Sequence, residues 1–165
     1  MSSLRRKLRT ASGMTRADRR LIVEAIAALL VARRRSLLPF EVLARHLGGI
    51  VAPHSRTRAP ASASAPAPAP VLPAPLSQAE ADMIFAIRWS IGAVAPWLPF
   101  RTLCLQQAIA ARAMLERRGI GSVLHLGVRD PTGTTLDAHA WLDAGGLNVT
   151  GYPVDPALTE VGRFV

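Results

Sequence analysis

One cysteine and four histidines are all that the chain offers for thiol or imidazole chemistry. Cys104 begins the run Cys104-Leu105-Gln106-Gln107-Ala108, whose residue types favour helix, so the thiol falls in the first turn of a helix opening near Thr102. Unpaired backbone N–H groups and the positive end of the helix dipole gather there and favour thiolate over thiol. A free cysteine is more often a small buried hydrophobe, and Cys104 alone would be read that way. His139 changes the reading. It lies in an alternating segment, Thr134 to Leu142, in which Leu136, Ala138, Ala140 and Leu142 take one face of a strand and leave His139 and Trp141 on the other. A thiolate at a helix start beside an imidazole on a strand is the pairing that nucleophilic acyl chemistry needs: one group attacks a carbonyl, the other takes and returns the proton. His46 and His54 belong to a basic N-terminal region, and His125 reads as a half-buried sheet residue. One cysteine with scattered histidines has no metal-ligand spacing, so neither a metal nor a disulfide is expected.

The elements that must position this pair follow from local pattern. Thr15 with Asp18 three residues on starts a helix that runs to about Arg35, and Pro39 precedes a shorter helix carrying Phe40, Leu43 and Leu47, stopped by Gly48 and Gly49. Ser77 and Glu80 form a capping box ahead of Ile84, Ile87, Ile91 and Val94, which predicts a helix over Ser77 to Ala95. The helix of Cys104 carries Ala108, Ala111 and Leu115 on one stripe and stops at Gly119. Beyond it Leu124, Leu126 and Val128 alternate, Asp130-Pro131-Thr132-Gly133 suits a turn, and Gly145-Gly146 suits a second one into Leu147 to Tyr152. The expected class is α+β, with a three-stranded antiparallel meander packed on helices.

Composition divides the chain. Residues 1–58 carry 13 Lys or Arg against Asp18, Glu24 and Glu41, a net charge of +10, whereas residues 59–165 carry 7 against 8 acidic residues. The first part is expected to be a basic helical region packing on the core, because 58 residues bury little surface alone. Residues 59–76 are nearly all Ala, Pro and Ser, with Pro60, Pro66, Pro68, Pro70, Pro73 and Pro75 opposing helix and sheet alike, and read as a linker. No basic-flanked P-x-x-P core makes it a ligand for a proline-binding domain. The domain proper is 77–165. Leu21 to Ala32 contains Glu24 and falls short of the roughly 20 residues of a membrane span, and Arg33-Arg34-Arg35 stands where a signal peptide would have small residues. A lone cysteine suits the cytoplasm, and the basic end could rest on the inner face of an anionic membrane. Nucleic acid is not expected as a partner, since Phe40 is the one aromatic among the first 58 residues.

Four blocks in order carry a resemblance: Cys104-Leu105-Gln106-Gln107-Ala108-Ile109-Ala110, Leu115-Glu116-Arg117-Arg118-Gly119-Ile120, Leu126-Gly127-Val128-Arg129-Asp130 and Ala138-His139-Ala140-Trp141-Leu142, with Pro96-Trp97 ahead of them. Together they resemble the leader peptidases of lasso-peptide biosynthesis, cysteine proteases with a transglutaminase-like fold. The resemblance implies N-terminal helices followed by a papain- or transglutaminase-like core in which the Cys helix packs on a small antiparallel sheet bearing the His. It also implies hydrolysis of the bond between leader and core in a ribosomal precursor peptide, with Cys104 as nucleophile, His139 as base and then acid, and the Cys104 N–H as an oxyanion donor. No cofactor is implied for this chain, ATP being used by a partner lasso cyclase. Residues 1–58 lack the alternating strands of a leader-recognition domain, so a separate recognition protein is expected.

The third member of the site is open at this point. The family pattern puts an Asp about a dozen residues after the His, where this chain has Gly151, with Asn148 before it and Asp155 after it. Asp155 is the expectation, on charge and proximity; Asp143 reads as a solvent-facing strand end, and a backbone or tyrosine partner for the imidazole is the alternative. Trp141 could wall a substrate groove, though an aromatic on a sheet more often packs. Two other functions compete with the peptidase: acyl transfer to an amine, as in transglutaminases, and a non-enzymatic basic adaptor or membrane-surface scaffold working through Arg5 to Arg58.

Overall fold

In the computed structural model, residues 14–48, 76–129 and 137–165 are described. The Pro/Ala-rich stretch, apart from Leu76, lies outside them, as do the Asp130 to Gly133 turn and Thr134 to Leu136 of the expected strand. Helix α1 spans Arg16–Arg35 and begins where a reciprocal cap permits: the Thr15 hydroxyl accepts from the Asp18 N–H at 3.1 Å while the Asp18 carboxylate accepts from the Thr15 N–H at 2.8 Å. Pro39 precedes α2, Phe40–His46, and Gly48, at φ +95°, ends it. Ser77 and Glu80 cap α3, Gln78–Val94, in the same reciprocal way, and a 3-10 turn over Ala95–Trp97 follows.

Helix α4, Cys104–Glu116, begins at the cysteine itself. It terminates through Gly119 at φ +69°, with Ile120 N–H donating to the Leu115 carbonyl at 3.1 Å and Gly119 N–H to Glu116 at 3.0 Å, which lets the buried Ile120 fold back on the helix end. Helix α1 packs on both α3 and α4. Ala25, Ala28 and Ala32 from α1 and Ala108 and Ala111 from α4 are buried in one core, the small side chains letting the helix axes approach closely. Glu24 of α1 takes Arg117 and Arg118, just past the end of α4, at 2.7 Å each, and these guanidiniums, Arg118 foremost, hold its carboxyl down at about 2.

The sheet has four antiparallel strands in the order β3-β2-β1-β4: β1 Val123–Val128, β2 Ala138–Ala144, β3 Leu147–Thr150 and β4 Thr159–Phe164. The expected three-stranded meander is therefore one strand short. In β4 the inward residues are Gly162 and Phe164 while Val161 is exposed, so apolar alternation does not betray the strand. Its end is tied down by buried Arg112 of α4, which donates to the Phe164 carbonyl at 2.9 Å. Leu124, Leu142, Ala144 and Phe164 enter the core shared with the helices.

Gly145 and Gly146, at φ +54° and +81°, make the two-residue turn between β2 and β3. Ala144 pairs with Leu147 and Asp143 with Asn148, but Leu142 then pairs with Thr150, so a bulge inserts one residue into β3. A straight ladder would have set His139 against Tyr152. The bulge brings Gly151 against Ala140 and Trp141 instead. Among the described residues, no helix is long and apolar enough to cross a membrane.

Candidate active site

The N–H groups of Cys104, Leu105 and Gln106 lie ahead of the first intrahelical bond, from Gln107 N–H to the Leu103 carbonyl at 3.1 Å, and no described protein group accepts from them. No acidic residue stands in that first turn. The helix start thus offers donors and the positive end of its dipole to whatever negative charge forms at the half-buried Cys104.

What fixes that start is Gln106, almost fully buried. Its Oε1 accepts from the Leu103 N–H at 3.1 Å, and its Nε2 donates to Ser36 Oγ at 2.9 Å, which in turn donates to the Arg33 carbonyl at 2.8 Å. The Arg33 guanidinium lies 4.5 Å above the Phe100 ring, in the loop leading to Cys104. The basic first helix therefore holds the cysteine's turn and its approach loop. A Gln three residues after a helix cap is readable in the sequence as half a capping box; its link to Ser36, 70 residues away, is not.

His139, on β2 opposite Gly127, makes one hydrogen bond among the described residues: its Nε2 lies 2.7 Å from the Gly151 carbonyl oxygen. A carbonyl only accepts, so Nε2 carries the proton and Nδ1 keeps the basic lone pair. Trp141 stacks on His139 at 6.2 Å between ring centroids and on His125 at 5.2 Å, and covers Gly127, where a β-carbon would stand 2.8 Å from the indole. At 9% exposure Trp141 packs against the sheet, stacked on the two imidazoles.

The carboxylates go elsewhere. Asp155 is exposed, accepts from the Ala157 N–H at 2.8 Å and pairs with Arg129 at 2.9 Å; the Ala157 bond and then Arg129 lower its pKa, and it makes no hydrogen bond to His139. The expectation that Asp155 orients the imidazole is therefore not what the geometry provides. The Gly151 carbonyl occupies that role because Gly151, at φ +79°, presses on the Ala140 carbonyl and Trp141 where no side chain would fit. Asn148 is exposed and gives its carbonyl to Arg88 at 3.2 Å. Asp143 is not a solvent-facing strand end: it accepts from the Tyr152 hydroxyl and lies 3.3 Å from His125, whose other nitrogen is 2.9 Å from Glu160. Burial first, and then Asp143, push the Tyr152 phenol above its ordinary range.

Helix α4 packs on β2, yet no hydrogen bond joins Cys104 to His139, which shares the strand face opposite Leu142 and Ala144. Their surroundings do meet. Gln107, one turn on from Cys104, and Gly151, the imidazole's partner, line one cleft of about 190 Å³ with Thr150 and Tyr152. Gln107 also borders a wider cleft of about 520 Å³ formed by the loop from Ala95 to Thr102. Among the described residues, no group of three or more His, Cys, Asp or Glu could hold a metal ion.

A helix that begins at a cysteine, packed on an antiparallel sheet that carries a histidine, defines a class of fold. The family model of the transglutaminase-like superfamily matches residues 35–161, a span that contains both Cys104 and His139. The chain belongs to that superfamily. No curated protein matches it, and no solved structure does.

Proposed function

We propose that this chain is a cysteine peptidase that removes the leader from a ribosomally made lasso-peptide precursor. The observation that carries the reading is the hydrogen bond from His139 Nε2 to the Gly151 carbonyl, which leaves Nδ1 as a base on a strand against which the cysteine's helix packs. Catalytic hydrogen bonds are often long before substrate binds and tighten in the complex, and this reading requires the peptide complex to bring the thiol and the imidazole together.

In that complex Nδ1 takes the Cys104 proton and Sγ attacks the scissile carbonyl. The oxyanion receives the unpaired N–H groups at the start of α4, that of Cys104 first. Collapse breaks the C–N bond, and the imidazolium returns its proton to the departing amine of the core peptide. Water, deprotonated by the same imidazole, then cleaves the thioester, freeing the leader acid and the thiol. Asp155 acts outside this transfer, holding Arg129.

Around this reaction we place a separate leader-recognition protein that delivers the precursor and a lasso cyclase that takes the freed amine. The exposed Arg16, Arg19, Arg20 and Arg34 of α1 offer an acidic partner surface, or the inner face of an anionic membrane, a place to dock. The site of action is the cytoplasm.

The test is incubation with the precursor and the recognition protein, followed by mass spectrometry. The wild type yields free leader and core, and Cys104→Ala yields neither. If an added amine is incorporated into the leader fragment in place of water, the chain is an acyl transferase, the reading its superfamily also favours. If Cys104→Ser and Cys104→Ala leave all function intact while loss of α1 arginines abolishes it, the chain is a basic adaptor.

A further inference from the structure

The cleft of about 190 Å³ between α3 and the end of β3 adjoins both halves of the proposed catalytic pair, through Gln107 and Gly151. Its size is that of one side chain, below the 300 Å³ or so at which pockets begin to hold whole small molecules. Its polar lining has one charge. Arg88 borders it, exposed, with no ion pair among the described residues and a single 3.2 Å bond to the Asn148 carbonyl, so most of its donors are unused. Thr150, on the same wall, is 7% exposed and its buried hydroxyl has no partner among the described residues. No carboxylate lines the cleft. A planar cation with unused donors, at a side-chain-sized recess with no carboxylate in its lining, matches a group that accepts hydrogen bonds and carries negative charge.

We propose that this cleft is a specificity subsite for an Asp or Glu side chain flanking the scissile bond, with Arg88 as the cation that selects it. The proposal rests on the hydrolytic reading of Cys104 and His139. It makes the substrate class an acidic peptide segment, and it gives α3 a role in choosing the bond to be cut.

The experiment uses the full chain and a library of ten-residue peptides with Asp, Glu, Asn, Ala or Lys at each position around a central bond. Cleavage by wild type is expected to prefer Asp or Glu at one position by about tenfold in kcat/KM. Arg88→Gln levels Asp with Asn there, and Arg88→Glu moves the preference to Lys. Cleavage without an acidic preference, or a preference that survives in Arg88→Gln, overturns the subsite and leaves the peptidase standing. Should no peptide be cut, binding of the same peptides to Cys104→Ala is measured by fluorescence anisotropy. Tighter binding of acidic peptides that depends on Arg88 keeps the subsite, and equal binding of all peptides overturns it; the peptidase itself stands or falls on the precursor incubation with the recognition protein.

Discussion

His139 Nε2 lies 2.7 Å from the carbonyl oxygen of Gly151, so a backbone group does the orienting that a carboxylate would otherwise do. The exchange has a chemical consequence. A carbonyl fixes the tautomer and the ring plane as a carboxylate does, but it contributes no full negative charge to stabilise the imidazolium formed during attack.

Gly151 cannot be given a side chain at low cost. Its φ of +79° and its contact with the Ala140 carbonyl and Trp141 leave no room for a β-carbon. Gly151→Ala is expected to lose about 2–3 kcal/mol by urea unfolding, and Gly151→Asp to lose at least as much. Equal stability in Gly151→Ala would mean that the backbone there is relaxed.

Gln106 acts on the cysteine through the turn that carries it. Gln106→Leu removes the acceptor for the Leu103 N–H and the donor to Ser36 and is expected to cost about 1–3 kcal/mol. Cys104 alkylation in the folded variant should slow as the helix start loosens, while Ser36→Ala, which spares the Leu103 bond, shows the smaller effect on both readouts.

Glu24 carries a pH dependence. Its folded pKa of about 2 lies below the ordinary 4.5, so the clasp on Arg117 and Arg118 stabilises the fold above pH 4.5 and loses that contribution as pH falls toward 2. Urea unfolding of wild type and Glu24→Gln should differ by about 1–2 kcal/mol at pH 7 and converge by about pH 2. A gap that persists unchanged at the acid end would place the stabilisation elsewhere.

Tyr152 is the chain's one tyrosine, which makes its titration clean. Its phenol is half-buried and donates to Asp143, so the phenolate absorbance should not rise near the ordinary value of about 10. A folded pKa raised in this way stabilises the protein below pH 10 and is lost as pH climbs through the folded value. In Asp143→Asn the rise should move down; a wild-type midpoint near 10 would show that the phenol is free of both influences.

The helices were legible because their caps are written locally: Thr15 with Asp18 and Ser77 with Glu80 each lie three residues apart. Cys104 at a helix start and His139 on the strand face shared with Trp141 follow from composition and alternation, and both stand as expected. Three things were hidden. The fourth strand turns Gly162 inward and Val161 outward, so its burial does not track hydropathy. The bulge in β3 cannot be read from a Gly-Gly turn, and without it a straight ladder sets His139 against Tyr152 and leaves the Gly151 carbonyl unnoticed as the imidazole's partner. Gln106 and Ser36 meet only because α1 packs across α4, a tertiary fact with no local signature.

The peptidase reading rests on Cys104 as a nucleophile served by His139. Its most direct test is the rate of Cys104 alkylation by iodoacetamide at pH 6 in wild type and in folded His139→Ala. Labelling is expected to be rapid in wild type and to fall at least about tenfold when the imidazole is removed. Equal rates in the two proteins, or labelling of Cys104 only after unfolding, would contradict that reading.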